Sequence, residues 1–252
     1  YSTMMMRTSF LRITAIILSI ASLSSAANNE VSLGTTLVAV CYKNGVVVGA
    51  DTRTSVGAYV SNRYADKIAS VLNMAVICRS GSAADTQFLA EQLGVEFQSR
   101  FYRYGDKPTL HQIAYLLRSL MTESMTASLI CAGYQEGNGH IYSIAPNGSI
   151  MKEEHGFAVS GSGSTFILGH LDNFYHKDME EQEAIDFVVN AIQLAIARDG
   201  SSGGFVRIHV VNHNGSKLKT IYPDHNKPLS TISAASHKLK GFAPPKRSTK
   251  RK

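Results

Sequence analysis

GTTLVAVCYKNGVVVGAD, residues 34–51, is the stretch whose reading decides the fold. Its two apolar runs, 37–42 and 46–48, are rich in β-branched residues, and Lys43-Asn44-Gly45 between them supplies a tight turn, so the segment predicts a β-hairpin. Both faces of these strands are apolar, which suits strands covered on two sides rather than a sheet with one face in water. Thr35 opens the first strand directly after Gly34, so a cut between them would leave a hydroxyl and a free amine on one residue.

Upstream of the hairpin the composition changes. Tyr1 is followed by Met4, Met5 and Met6, residues 13–29 carry no charge, and the beginning does not read as a native start. Arg7 and Arg12 ahead of the apolar run, with Ser24 and Ala26 behind it, resemble a secretory signal peptide. The favoured alternative is a pro-segment or translated upstream sequence, because the rest of the chain points inside the cell. Five serines and threonines break the run, which is too weak for a transmembrane helix.

Downstream, residues 52–71 are mixed, and 75–78 form a further short apolar strand ended by Gly81. Residues 84–104 predict a helix, since Leu89, Leu93, Phe97 and Phe101 recur every four positions on one face. Pro108 and Thr109 open a second helix to about Glu123, striped by Ile113, Leu116, Leu117 and Leu120. Strands and hairpins return over 128–151, and 165–175 reads as helical. Asp178 with Glu181 predicts a capping-box start for a helix to Arg198, with Ile185, Val188, Val189, Ile192 and Ile196 facing the core. Strands 205–211 and 218–222 close the pattern. Strands, two helices, strands, two helices, strands: two apolar sheets packed together with helix pairs outside both account for that order.

The 252 residues suffice for one domain with a sizeable core. The net charge of +6 comes from residues 227–252, which hold eight Lys or Arg and no acid; the remaining 17 basic and 19 acidic residues nearly cancel. A near-neutral body argues against a nucleic-acid surface. Cys41, Cys78 and Cys131 are odd in number, widely spaced and in apolar contexts, reading as buried free thiols without metal-ligand spacing.

If the chain is cut after Gly34, the Thr35 hydroxyl lies beside an α-amine with an unperturbed pKa of about 7.7–8.0, suited to act as its general base. A nearby cation would favour the attacking oxyanion, and its charge would hold down the amine's proton affinity. Lys67 is the candidate, with Asp51 to orient it through a charge-assisted hydrogen bond. Two glycine-serine loops, 160–164 and 199–204, lack the lysine or strand context of a phosphate cradle. They fit tight turns, or hydroxyls and a carboxylate buttressing the amino-terminal nucleophile.

The segments GTTLVAV, GADTRTS, NRYADKI, CRSGSAADTQ, SGSGSTF and RDGSSGG occur in the order and at the spacings of catalytic 20S proteasome β subunits. EVSLGTT and CRSGSAADTQ look most like the caspase-like β1 type, and the resemblance covers about residues 30–222. It implies a four-layer α/β/β/α sandwich of two antiparallel sheets flanked by helix pairs, the amino-terminal-nucleophile hydrolase fold of α+β class. It implies Thr35 as nucleophile, Asp51 and Lys67 as its partners, and Ser162, Asp199 and Ser202 around the amine. The Gly81 N–H corresponds to the oxyanion donor. Arg79 corresponds to the basic pocket position, implying cleavage after acidic residues, and Thr54, Ser55 and Ala83 correspond to positions lining the channel where an extended peptide adds like a strand.

Ala65 stands where many relatives have Thr, a change that would reshape the acidic pocket, and Ser55 where Thr is commoner. The implied division is a removed pro-segment 1–34, a peptidase domain 35–224, and a basic flexible tail 225–252 that exceeds the usual end of this subunit. Implied partners are the other α and β subunits of a stacked-ring hetero-oligomer and unfolded polypeptide substrates, in cytoplasm and nucleus, with no cofactor, metal, nucleic acid or membrane. Two other readings stand beside this one: a structural β-ring subunit that never matures, and a secreted amidase of the same nucleophile class.

Overall fold

A computed structural model describes residues 34–56, 59–71, 73–105 and 108–221. Residues 1–33 and 222–252, and with them the basic tail and all of the expected pro-segment but Gly34, lie outside the described residues.

The expected hairpin is β1 (Leu37–Tyr42) with β2 (Gly45–Asp51), joined antiparallel from Leu37 opposite Ala50 to Tyr42 opposite Gly45. The turn therefore holds only Lys43 and Asn44, and Gly45 belongs to the second strand. β10 (Phe157–Ser160) pairs with β1, and β11 (Val206–Asn212) pairs with β2 and with β12 (Gly215–Ile221), giving a five-stranded sheet of order β10-β1-β2-β11-β12. A second sheet has the order β5-β6-β7-β8-β9: Ile68–Val71, Ala75–Gly81, Ala127–Gln135, Asn138–Ile144 and Ile150–Lys152. β3 (Thr54–Val56) and β4 (Tyr59–Asn62) form a separate ribbon.

The two-sided apolar pattern follows from the layers. Successive strand side chains point to opposite faces, so Val38, Val40 and Val47 meet helices while Leu37, Ala39, Val46 and Val48 meet the other sheet. In β6, Ile77 faces outward while Val76 and Cys78 face the sheet interface. The outer helices are α1 (Ala83–Tyr104) and α2 (Leu110–Leu120) on the second sheet, with α3 (Leu168–Phe174) and α4 (Glu181–Ile196) on the first. This is the expected four-layer α/β/β/α sandwich. Gly49 is where α4 lies closest: a Cβ there would sit 2.5 Å from Val188 and 2.6 Å from Ile192.

Helix α2 starts as read, with Thr109 and Gln112 forming a reciprocal capping box, but it ends at Leu120 rather than near Glu123. Leu89, Leu93 and Phe97 are buried; the side chain of Phe101 lies outside the described residues. Two expectations are corrected. The Asp178–Glu181 capping box does not form, since α4 begins at Glu181 after an extended Glu180 that has no side-chain cap bond. The expected helix 165–175 is a 3-10 turn (Ser162–Phe166) followed by α3, because the last residues of the glycine-serine loop are drawn into the turn. The short β10 was not anticipated: four residues show little periodicity, and pairing with β1 is what makes them a strand.

Candidate active site

Thr35 and Thr36 precede β1, and the register that sets Leu37 opposite Ala50 brings Asp51, the last residue of β2, beside Thr36. Asp51 is fully buried. Its Oδ1 accepts from the Thr36 N–H at 2.8 Å and from Lys67 Nζ at 2.7 Å; its Oδ2 accepts from the N–H groups of Gly203 at 2.9 Å and Arg53 at 3.2 Å. A carboxylate has about four acceptor sites, and here all are used, which offsets the cost of burial.

Lys67, just before β5, is buried as well. Besides Asp51, its ammonium donates to the Arg53 carbonyl at 2.6 Å and to the Gly34 carbonyl at 2.9 Å, so its three protons have three acceptors. Burial pulls the Lys67 pKa below the ordinary lysine value of 10.5, and the neighbouring Asp51 opposes that shift. Thr35 Oγ1 donates to the same Gly34 oxygen at 2.8 Å. The Gly34–Thr35 peptide bond is thus flanked by a hydroxyl and by a buried cation.

The loops reach Thr35 from the other side. Ser162 Oγ accepts from the Thr35 N–H at 3.3 Å and donates to Asp199 Oδ2 at 2.7 Å; Ser202 Oγ donates to the same oxygen at 2.6 Å. Burial pushes the Asp199 carboxyl up, but hydrogen bonds from Ser202, the Ser201 N–H and Ser162 outweigh it and hold the pKa below the usual aspartate value of 3.8. Gly161, at φ 87°, lies so near Thr35 that a Cβ would come within 2.2 Å of its carbonyl oxygen. A left-handed backbone and a close approach are both met by glycine.

Thr35, Asp51, Lys67, Ser162, Asp199 and Ser202 are therefore brought into one hydrogen-bonded cluster with Gly34. Arg79 sits next door through its backbone, donating its N–H to the Lys67 carbonyl at 2.9 Å. Its guanidinium donates to the Asp66 carbonyl at 2.5 Å, while its Nε–H is buried without a hydrogen-bond partner among the described residues. Ser55 Oγ reaches the Ser201 carbonyl at 3.4 Å. Gly81 ends β6 at φ 99°. Thr54 lies in the β3–β4 ribbon, and Ala83 is exposed at the start of α1. No hydrogen bond described for the side chains of Thr54 or Arg79, or for Ala83, joins them to Thr35.

Two residues escaped the sequence reading. Thr36, fully buried, shares a 2.8 Å hydrogen bond with Ser202, tying the neighbour of Thr35 to the Asp199 loop. Arg53 supplies a carbonyl to Lys67 and turns its guanidinium to the carbonyls of Ser201 and Gly200. Both lie inside the segments GTTLVAV and GADTRTS, so their neighbourhood was legible although their bonds were not.

Two antiparallel sheets between helix pairs, with a threonine at the head of the first strand beside a buried Lys–Asp pair, define the amino-terminal-nucleophile hydrolase fold. Residues 31–211 match the family model described as "Proteasome subunit". The chain is 41% identical to proteasome subunit beta type-1 of Saccharomyces cerevisiae over 204 residues, 79% of this chain and 94% of that one. It is 38% identical to the probable proteasome subunit beta type-1 of Schizosaccharomyces pombe, over 84% of this chain and 94% of the other. Identity to proteasome subunit beta type-6 of Dictyostelium discoideum is 39%, over 80% and 94%. The chain belongs to the proteasome subunit family, as a β subunit of the 20S core. Subunits of this kind assemble with other α and β subunits in the core particle.

Proposed function

We propose that this β subunit is a threonine endopeptidase that matures by cutting its own Gly34–Thr35 bond and then cleaves polypeptides preferentially after acidic residues. The observation that carries the reading is the convergence on the Gly34 carbonyl of the Thr35 hydroxyl, at 2.8 Å, and the buried, Asp51-paired ammonium of Lys67, at 2.9 Å. In maturation Thr35 Oγ1 attacks the Gly34 carbonyl carbon, and Lys67 stabilises the charge that grows on the oxygen it already holds. The C–N bond breaks, the hydroxyl proton ends on the departing nitrogen, and water hydrolyses the resulting ester. Residues 1–34 leave as the pro-segment, domain 35–224 remains, and 225–252 stays as a basic tail.

The freed amine lies where Ser162, backed by Asp199, holds the Thr35 nitrogen. It takes the Thr35 hydroxyl proton as general base while the Lys67 cation favours the attacking oxygen. The Gly81 N–H stabilises the tetrahedral intermediate, the peptide's new amine departs, and water releases the acyl group. Acidic preference is supported by Arg79, whose buried Nε–H has no partner among the described residues and suits a carboxylate. Thr54, Ser55 and Ala83 line the strand-like peptide path. The subunit works in cytoplasm and nucleus, which imaging of the tagged protein tests.

The rival reading is a β-ring subunit that never matures. Amino-terminal sequencing of the native protein together with labelling by a covalent threonine-directed inhibitor separates the two. The expected results are Thr35 at the mature terminus and labelling that Thr35→Ala abolishes. An intact Gly34–Thr35 bond in assembled particles would favour the rival.

A further inference from the structure

The space between the two sheets is filled by apolar side chains, among them Val76, Cys78, Ile130, Ala132 and Ala158. Period-two alternation carries the same faces on to Ser80, Ser128 and Ser160, and there the filling becomes hydroxyl. Ser160 Oγ lies 2.8 Å from Ser80 Oγ and 2.9 Å from Ser128 Oγ, and Ser80 Oγ donates to the Ser128 carbonyl at 3.1 Å. One arrangement uses every proton: Ser128 donates to Ser160, Ser160 to Ser80, and Ser80 to the Ser128 carbonyl. Ser80 and Ser160 are only 5% and 8% exposed, so hydroxyls at these positions must be bonded or carry a desolvation cost.

The place of the bridge decides what it does. Ser80 directly precedes Gly81, the proposed oxyanion donor on the second sheet. Ser160, opposite Leu37 in the first sheet, directly precedes Gly161 and Ser162, which touch Thr35. Apolar side chains would hold the two sheets together here without fixing a direction, whereas hydrogen bonds fix both distance and direction.

We propose that the Ser80–Ser128–Ser160 bridge is a positioning device that sets the Gly81 N–H at the correct distance from the Thr35 hydroxyl. These are positioning residues, since none touches the reacting atoms. The inference rests on the reading of Thr35 as nucleophile and Gly81 as oxyanion donor.

The test uses assembled particles containing the full-length chain with Ser160→Ala, Ser160→Thr or Ser128→Ala. kcat and KM are measured on a peptide cleaved after Glu. Affinity is measured for the corresponding peptide aldehyde, whose hemiacetal oxygen takes the oxyanion position, and for an unreactive peptide amide of the same sequence. Misplacing the donor in Ser160→Ala should cut kcat and aldehyde affinity together by about tenfold, with KM and amide affinity held within about twofold. Ser160→Thr, which keeps the hydroxyl, should stay within about threefold of the unsubstituted subunit. Ser128 is only half-buried, so water can replace its hydroxyl. Ser128→Ala should assemble even if Ser160→Ala does not, and should shift kcat and aldehyde affinity together by about threefold.

Unchanged kcat in the variants that assemble, or aldehyde and amide weakening in parallel, overturns the proposal. Failure of the underlying reading looks different and overturns both: the unsubstituted subunit would itself retain Gly34 and turn over nothing.

Discussion

Under the proposed maturation Gly34 leaves with the pro-segment, so replacing it by alanine should perturb only the precursor. A Cβ at position 34 would lie 2.0 Å from the Ser201 carbonyl oxygen and 2.2 Å from its carbon. That carbonyl is held by Arg53 Nε at 3.2 Å and by Ser55 Oγ at 3.4 Å, so it is not free to retreat. Relief to ordinary contact, near 3.4 Å, requires a shift of about 1.4 Å, taken mostly by residue 34. The shift moves its carbonyl away from Thr35 Oγ1 and Lys67 Nζ, and a misplacement of about 1 Å costs on the order of a hundredfold in rate. The assay follows loss of the pro-segment by mass spectrometry after pulse-labelled synthesis. The expected result is processing slowed about a hundredfold, with full peptidase activity restored when Thr35 is exposed instead from a cleavable fusion placed directly before it. Processing of the Gly34→Ala precursor at the normal rate would refute the steric argument. Loss of activity in the fusion-derived subunit would show that Gly34 matters for something other than the cut.

Lys67→Met leaves the fully buried Asp51 without its cation, so the folded subunit should lose about 3–5 kcal/mol, read as reduced assembly and thermal stability, and should not process. The rate of the matured enzyme should rise with pH as the Thr35 amine loses its proton. It should fall again as Lys67 loses its own, and because burial lowers the Lys67 pKa the falling limb should lie below 10.5; a pH–rate profile still rising at that pH would contradict the assignment. Asp199 is held below 3.8, so it stays ionised as pH falls from 7 towards 4, and the stability it contributes is lost only below that range; acid unfolding followed between pH 4 and 7 should be the same in Asp199→Asn as in the unsubstituted protein, apart from a constant offset. Arg79→Ala should lower kcat/KM for peptides cleaved after Glu by about a hundredfold while sparing those cleaved after Leu, as measured on paired fluorogenic substrates.

The regular elements were legible because their signals are local. The β1–β2 hairpin, the Leu89-Leu93-Phe97 face of α1 and the start of α2 at Thr109 each lie within a few residues of their own cause. The start of α4 was misplaced because Asp178 and Glu181 have the spacing of a capping box, whereas Asp178 lies in a turn and the extended Glu180 precedes the helix. β10 was missed because a four-residue edge strand exists through its partner, β1, more than a hundred positions earlier.

By itself the sequence determined the layered class, the order of most of its elements and the segments in which the site residues lie. Period-two and near-four-residue patterns act through neighbouring side chains. Only the tertiary structure decided which atoms meet. Ser162 is 127 positions from Thr35, Ser202 is 166 from Thr36, and Gly203 is 152 from Asp51, yet each pair is hydrogen-bonded. Such contacts depend on strand register, which places Asp51 beside Thr36, and on glycines at 34 and 161 that let the backbones close around Thr35. The exclusion of water that makes the Lys67–Asp51 pair costly to bury and chemically potent belongs to the packed sheets and to neither residue alone.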